Sequence, residues 1–438
     1  MTPTAEWEQS LTARDLLPPP WWGANLEPNH RVDYPDKYRG ALVGTGIGDA
    51  LGRPVEGLPP EDIQELYGTV RRYESKRTRE PGTLTDDTQL TIAIAQSIVE
   101  HGGLDPEDVA NRFAAWLPIG RGTGHATREG IVAYLSGAPW WEAGGPSAGN
   151  GAAMRTAPIG LLHPLDVAAL RRDAAIAAVI THADPMAVAS AVAQSWTIAY
   201  LLHTEPGRFD VSDYLEGLTR VLRDIPDPGH PERHPGAVTP VRLLDRILEV
   251  ADRLDQTPEQ LFHFSQNGAY VLESLPAALW CFMRSPEDPE QVIVTAVNGG
   301  YDADTVGAMA GAAVGAYMGE MMFPEEWLTG LEYIDGLEGL AERLFTMTGL
   351  PGEVRRWRDP GPRTTFSYAP VLLADKVYPT LEHARCAAGA DASENAERTR
   401  LLPTPADARR MAGVSRNAPI DDPVDLAEVE HRLRALSE

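Results

Sequence analysis

The side chains best suited to chemistry in this chain are carboxylates and hydroxyls gathered where helices begin. Asp302, Asp304 and Thr305 stand at a glycine-rich turn in NGGYDADTVGAMAGAAVGAYMG, just ahead of a run of small residues that predicts a helix. A second knot, GTLTDDTQLTIAIAQSIVE, places Thr85, Asp86, Asp87 and Thr88 at the mouth of an apolar helix expected to run to about His101. Hard oxygen ligands with no Cys or His among them suit magnesium better than zinc. Adjacent carboxylates repel at close range, so a paired Asp-Asp is solvated or neutralised by a cation. Each cluster alone also reads as an acidic first turn that caps its helix and complements the dipole, with Thr85 as a good N-cap. Capping does not explain why Asp and Thr recur together at two distant helix mouths. Together the two clusters could hold two magnesium ions.

Two glycine ladders are the elements that must position these groups. Gly307, Gly311, Gly315 and Gly319 share one face of the helix that follows Asp304, and Gly40, Gly44, Gly48 and Gly52 share one face of a helix expected from about Tyr38 to Gly52. Glycine weakens a helix unless its missing side chain is exploited, and close contact with another helix is the natural use. The apolar run from Val306 to Met318 is too short to span a bilayer and opens directly on carboxylates. If the ladders pair antiparallel, Asp49 and Glu56 arrive beside Asp302 and Asp304.

The rest of the chain reads as a helix-rich body with irregular ends. Residues 1–37, with Pro-Pro-Pro-Trp-Trp, read as an irregular wrap. GGPSAGNGAAMRTAPIG supplies a loop from Gly144 to Gly151 whose successive free amides could cradle phosphate. His182 sits at the inter-helix corner THADP, where a lone histidine is usually structural. The Pro/His-rich stretch between His203 and Gln260 looks like a peripheral insertion, in which His230 and His234 lack the partners a zinc site needs. Pro276 marks an expected kink in GAYVLESLPAALWCFM. Beyond residue 345, Pro, Arg and charged residues dominate, and only Asp421–Glu438 looks like a clean amphipathic helix, so 346–438 reads as a C-terminal extension.

Composition narrows the partners and the compartment. A formal charge of −25 argues against duplex DNA or an anionic membrane surface. The two cysteines, Cys281 and Cys386, imply neither a disulfide framework nor a thiolate metal site, which fits a reducing cytoplasm. The N-terminus lacks the basic start and apolar stretch of a signal peptide.

Taken in order, GDALGRPVEG, GTLTDDTQLT, GNGAAMRTAPIG, THADP and GGYDADTVGAMAGAAVGA resemble the ADP-ribosylglycohydrolase family, which includes the dinitrogenase reductase-activating glycohydrolases; the resemblance covers roughly residues 38–345. It implies an all-α, compact helical bundle with a dinuclear metal site. In the family pattern Thr85, Asp86 and Asp87 match one metal-binding cluster and Asp302, Asp304 and Thr305 the other, holding two Mg2+ or Mn2+ ions. Glu56 matches the acid that activates water. Ser147, Gly149, Asn150 and Gly151 match the loop that contacts the diphosphate and nearby ribose, and His182 a histidine close to the substrate. One departure stands out: Tyr301 occupies a place where the family commonly has glycine, and an aromatic ring there could stack on a substrate ring or narrow the site. The implied activity is removal of ADP-ribose from a modified protein or small molecule by a monomeric enzyme, with ADP-ribose as product. Which acceptor linkage it would take is left open.

Two other readings compete. Asp302-Ala-Asp304-Thr305-Val306 also fits the nucleophile motif of haloacid-dehalogenase-like phosphatases, with VIVTAV as the strand before it; only Lys376 follows the motif as a lysine. The third reading is a binder that keeps an ADP-ribose pocket without turnover, against which Glu56 and both acidic clusters weigh.

Overall fold

The computed structural model describes residues 3–75, 80–231 and 240–354. The expected all-α architecture is what forms. The only regular strands among the described residues are His230–Pro231 and Pro240–Val241, a two-residue antiparallel clasp in the insertion. His234 and the expected Asp421–Glu438 helix lie outside the described residues, as does most of the 346–438 extension, whose first residues finish the helix Ile334–Thr348.

The two glycine ladders pack face to face at the centre. One belongs to the helix Tyr34–Gly52, every residue of which is buried, and the other to Ala303–Met318. A methyl group added at Gly40, Gly44 or Gly48 would fall onto the backbone of Gly315, Gly311 or Gly307 respectively, and one at Gly52 onto Ala303 and Asp304. The pairs run in opposite directions along the chain, so the helices are antiparallel, and backbone meets backbone along their shared length. The helix Pro289–Val297 covers the outside of this contact, with Val297 over Gly307 and Ile293 over Gly311. This is the VIVTAV stretch; its branched residues favour a strand locally, but burial on the ladder decides for helix.

Two differences from the sequence reading concern boundaries. The first ladder helix begins at Tyr34, because Asp33 caps it, accepting the Asp36 amide, and Pro35 presets its first turn. The N-terminal segment is not wholly irregular: Pro3–Ala13 is a helix that buries Trp7 and Leu11, with Trp7 5.6 Å from the Trp140 ring. Pro276 lies within a continuous helix, Val271–Arg284. Among the described residues the helix Pro185–His203 is long and apolar enough to cross a membrane, yet 89% of that window is buried inside the protein.

Candidate functional site

The antiparallel pairing delivers the C-terminal end of the first ladder helix to the N-terminal end of the second, and a third helix, Asp86–His101, points its own N-terminus at the same spot. Thr85 stands at its N-cap position, but its side chain makes no capping bond. The cap comes instead from Asp49, three residues before the ladder's end. Its carboxylate accepts the Thr85 amide (3.1 and 2.9 Å) and hydroxyl (2.7 Å), and the Thr88 amide (3.2 Å) and hydroxyl (2.5 Å). A carboxylate at a helix mouth also gains from the positive end of the helix dipole.

Around this anchor the acidic side chains converge as the sequence spacing predicts. Asp49, Asp87 and Asp304 can each turn an oxygen to within 4.8 Å of the others, and so can Glu56, Asp302 and Asp304. Asp304 belongs to both groups, so two adjacent cation-sized places share one carboxylate. Asp86 lies outside both groups. Its amide bonds the Arg121 carbonyl (2.7 Å), and its carboxylate accepts the Gly124 amide (3.4 Å) under the Gly120–Gly124 turn. The Thr85 hydroxyl lies 3.1 Å from Asp87 as well as against Asp49, and Thr305 is buried beside Asp304.

Glu56 follows a single 3-10 turn, Arg53–Val55, and the next residues lock onto the second cluster: the Gly57 amide donates to the Tyr301 carbonyl (2.6 Å) and the Tyr301 amide to the Leu58 carbonyl (2.7 Å). To make this exchange both Gly300 (φ +70°) and Tyr301 (φ +54°) adopt the left-handed conformation. Glycine tolerates it freely; tyrosine does not. The Tyr301 side chain is 42% exposed.

The Gly144–Gly151 loop closes another side. Asn150 Nδ2 hydrogen-bonds Asp302 Oδ2, which ties the loop to the second cluster. The loop does not offer a row of free amides. Ser147 and Gly149 donate theirs within the loop, to the Gly145 carbonyl and the Ser147 hydroxyl, and Asn150 donates to the Ala269 carbonyl; single bridges to His182 and to Tyr270 flank the loop. The open faces of Gly149 and Gly151 lie against the buried His182 ring: an added Cβ at Gly151 would sit 2.6 Å from His182 Cε1.

The electrostatics of the carboxylates fit a bound cation. Burial first, and mutual repulsion second, hold Asp86 and Asp304 well above the ordinary carboxylate range; Asp87 follows the same order. Asp302 is pushed up to about 6, and Asp49 is raised by burial despite its four donors. Asp87 Oδ1 is buried without a hydrogen-bond partner, which is costly for a carboxylate unless a cation sits there. Arg53, itself buried, is influenced at once by Asp49, Asp304 and Glu56. The oxygen-only donor set suits a hard divalent ion. Fold and chemistry therefore agree that this pocket can hold metal.

Sequence reasoning placed Asp49 near the site but not among its working groups, and missed Arg53 and Asn267. Asn267 is fully buried with φ +49°, donates to the Gly300 carbonyl (2.7 Å) and accepts the Asp302 amide on its own carbonyl (3.0 Å). Arg53 sits within GDALGRPVEG, where a basic residue between two acids could have been noticed; Asn267 carries no signal of that kind.

The sequence profile of a family described as ADP-ribosylglycohydrolase matches residues 30–353. A solved structure titled "ADP-ribosylglycohydrolase-related protein complex" superposes with a TM-score of 0.57 at 32% identity, covering 72% of this chain and 99% of that one. The ADP-ribosylarginine hydrolase Tri1 of Serratia proteamaculans is 27% identical over 71% of this chain and 80% of its own length. The ADP-ribosyl-[dinitrogen reductase] glycohydrolase of Rhodospirillum rubrum is 29% identical over 68% of this chain and 90% of its own. With its glycine-paired helices, its two-part acidic pocket and a profile match over most of its length, the chain belongs to the ADP-ribosylglycohydrolase family.

Proposed function

We propose that this protein is a metal-dependent hydrolase that releases ADP-ribose from a modified acceptor by cleaving the glycosidic bond at the distal ribose. The observation that carries the reading is the convergence of Glu56 with Asp302 and Asp304 within 4.8 Å. A partly exposed acid there stands beside a buried anionic cluster that calls for cations. Two magnesium or manganese ions would be held by Asp49, Asp87 and Asp304 and by Asp302 and Asp304, with Thr85, Asp86 and Thr305 beside them; when bound they supply positive charge that orients ribose oxygens and acidifies water. Glu56 is the base that takes the proton from the attacking water as the bond opens through an oxocarbenium-like transition state. Asn150 braces Asp302 while Ser147, Gly149 and Gly151 form the surface on which the diphosphate and nearby ribose lie, with His182 beside Gly149 and Gly151 and Tyr301 at the rim.

The substrate is taken to be an ADP-ribosylated protein or small molecule. Arginine linkage comes first because the Serratia relative is named for it. The reading carries with it a monomeric, cytoplasmic enzyme, and the charge of −25 disfavours nucleic acid as its partner. The phosphatase alternative loses its strand, since VIVTAV is helical, and nothing particular favours a binder without turnover.

The experiment is release of ADP-ribose from arginine- and serine-linked peptides, with magnesium and with chelator, in the wild type and in Asp304→Ala. Metal-dependent release that the variant loses supports the hydrolase. Binding of ADP-ribose without release from either peptide would turn the reading to a binder or to an acceptor outside proteins.

A further inference from the structure

Arg155 is a buried charge with no part in the chemistry above. It is fully enclosed, its guanidinium lies 4.7 Å from the Phe113 ring centre, and its Nε and Nη1 have no hydrogen-bond partner. Nη2 donates to the Ala177 carbonyl (3.1 Å) and to Thr181 Oγ1 (2.6 Å). An arginine so poorly paired costs stability, so its hydroxyl contact invites a functional account. Thr181 Oγ1 in turn lies 2.7 Å from His182 Nδ1.

The direction of each bond follows from what the groups can do. A guanidinium only donates, so the Thr181 oxygen accepts from Arg155. Thr181 is fully buried. Were His182 protonated at Nδ1, two donors would meet at that oxygen and the threonine proton would be left with no acceptor in a place closed to water. The hydroxyl therefore donates to Nδ1, and the hydrogen of the neutral ring sits on Nε2. The ring turns its Cε1–Nε2 edge toward the loop, and Nε2 is the nitrogen on it: an added Cβ would lie 3.2 Å from Nε2 at Gly149 and 3.0 Å at Gly151. Burial, with Arg155 nearby, also lowers the His182 pKa to about 3, so the ring does not become a cation.

We propose that Arg155 is a positioning residue that acts through Thr181 to hold His182 as the neutral Nε2–H tautomer, a fixed hydrogen-bond donor to an oxygen of the nucleotide lying on the Gly149–Gly151 surface. The nucleotide part rests on the reading of this site as an ADP-ribose site; the tautomer part does not. In this role His182 is an orienting donor and not an acid catalyst. The arginine fixes which of its nitrogens faces the ligand.

The first test needs no variant at the relay itself. In wild-type protein labelled with 15N-histidine, with the His182 signals identified by their loss in His182→Gln, the pattern at neutral pH should be that of Nε2–H. A hydrogen on Nδ1 overturns the proposal. Thr181→Val and Arg155→Met should mix the tautomers and weaken ADP-ribose binding, read by calorimetry, about ten-fold. Thr181→Ser, which keeps the hydroxyl, should match the wild type in both. Combining Thr181→Val with His182→Gln should cost no more affinity than His182→Gln alone, because the hydroxyl works through the ring; additive losses would contradict the relay. If the valine or methionine variant fails to fold, the wild-type spectrum still decides the tautomer, and Arg155→Gln, too short to reach the Thr181 hydroxyl, decides the arginine's part: a wild-type spectrum and affinity in that variant would overturn it. Failure of the wild type to bind ADP-ribose would sink the functional reading and leave the tautomer to be judged by the spectrum.

Discussion

The Asp49 carboxylate, carried by one helix, caps another by accepting both the amide and the hydroxyl of Thr88 (3.2 and 2.5 Å). The cap is thus a tertiary contact, and Asp49 serves stability and the cation pocket at once. Asp49→Ala leaves the Thr85 and Thr88 donors without their acceptor and should lower unfolding free energy by about 2–3 kcal/mol in urea titrations of the metal-free protein. A change within about 0.5 kcal/mol would mean that water or another acceptor replaces it.

Asp304 is common to both carboxylate groups, whereas Glu56 sits in one. Manganese or magnesium should raise the melting temperature of the wild type, with about 2.7 kcal/mol of stabilisation at a hundred-fold excess over Kd. In Asp304→Ala that rise should vanish. In Glu56→Gln most of it should persist while ADP-ribose release falls by about 10²–10⁴-fold, the usual yield of a general base. Equal thermal responses in the two variants would separate Asp304 from the ions.

Gly311 faces the Gly44 backbone with no room for a methyl group. Alanine is the better helix former by about 1 kcal/mol, yet Gly311→Ala should destabilise the protein by about 2–3 kcal/mol, because the obstruction is backbone and the helices must move apart. Circular dichroism melts can establish the sign, and a stabilised variant would refute the close contact.

His203 accepts the Tyr34 hydroxyl (2.6 Å) at Nδ1 and donates from Nε2 to the Pro164 carbonyl (2.7 Å). Burial lowers its pKa to about 4 from 6.5. The unfolded chain therefore binds the extra proton between these values, so the contribution of this group is complete above about pH 6.5 and is lost as pH falls toward 4. The stability advantage of wild type over His203→Gln should shrink across that interval. An advantage that stays constant from pH 7 to 4 would show that His203 does not titrate there.

Tyr301 pays for its left-handed backbone. Tyr301→Gly should add roughly 1 kcal/mol of stability, and a rise in KM with kcat unchanged would assign the ring a part in substrate binding. Loss of stability would instead show that the ring's contacts outweigh the strain.

Much of this was legible in the sequence because periodicity and chemistry coincide. Glycines at four-residue spacing announced a smooth face, and Asp and Thr at helix mouths announced the pocket. What remained hidden depended on contacts across the fold. Thr85 looks like an N-cap in the chain, but a carboxylate from another helix takes that work. The Gly144–Gly151 loop looks like a phosphate cradle, but the amides of Ser147 and Gly149 turn back into the loop and that of Asn150 goes to Ala269. VIVTAV has the composition of a strand and is made helical by the surface it covers. Asn267 and Arg155 have no local pattern at all, since their value lies in partners 33 and 26 residues away.

The paired ladders are ambiguous in a way their closeness conceals. Because glycine returns every fourth residue on both helices, sliding one past the other by four residues, about 6 Å, would set glycine against backbone once more. The smooth faces fix how near the helices come, and they are nearly indifferent to phase. Phase is set at the ends. Arg39 meets Glu320 at 2.9 Å and Asp36 receives the Met321 amide at 3.3 Å at one end, and at the other Asp49 is held by the helix of Asp87. Such a slip would leave the glycine contact whole while breaking these terminal bonds and parting Asp49 from Asp304. The molecule works like a vernier, whose repeated teeth give fine spacing and whose two end stops choose the only notch at which the carboxylates meet.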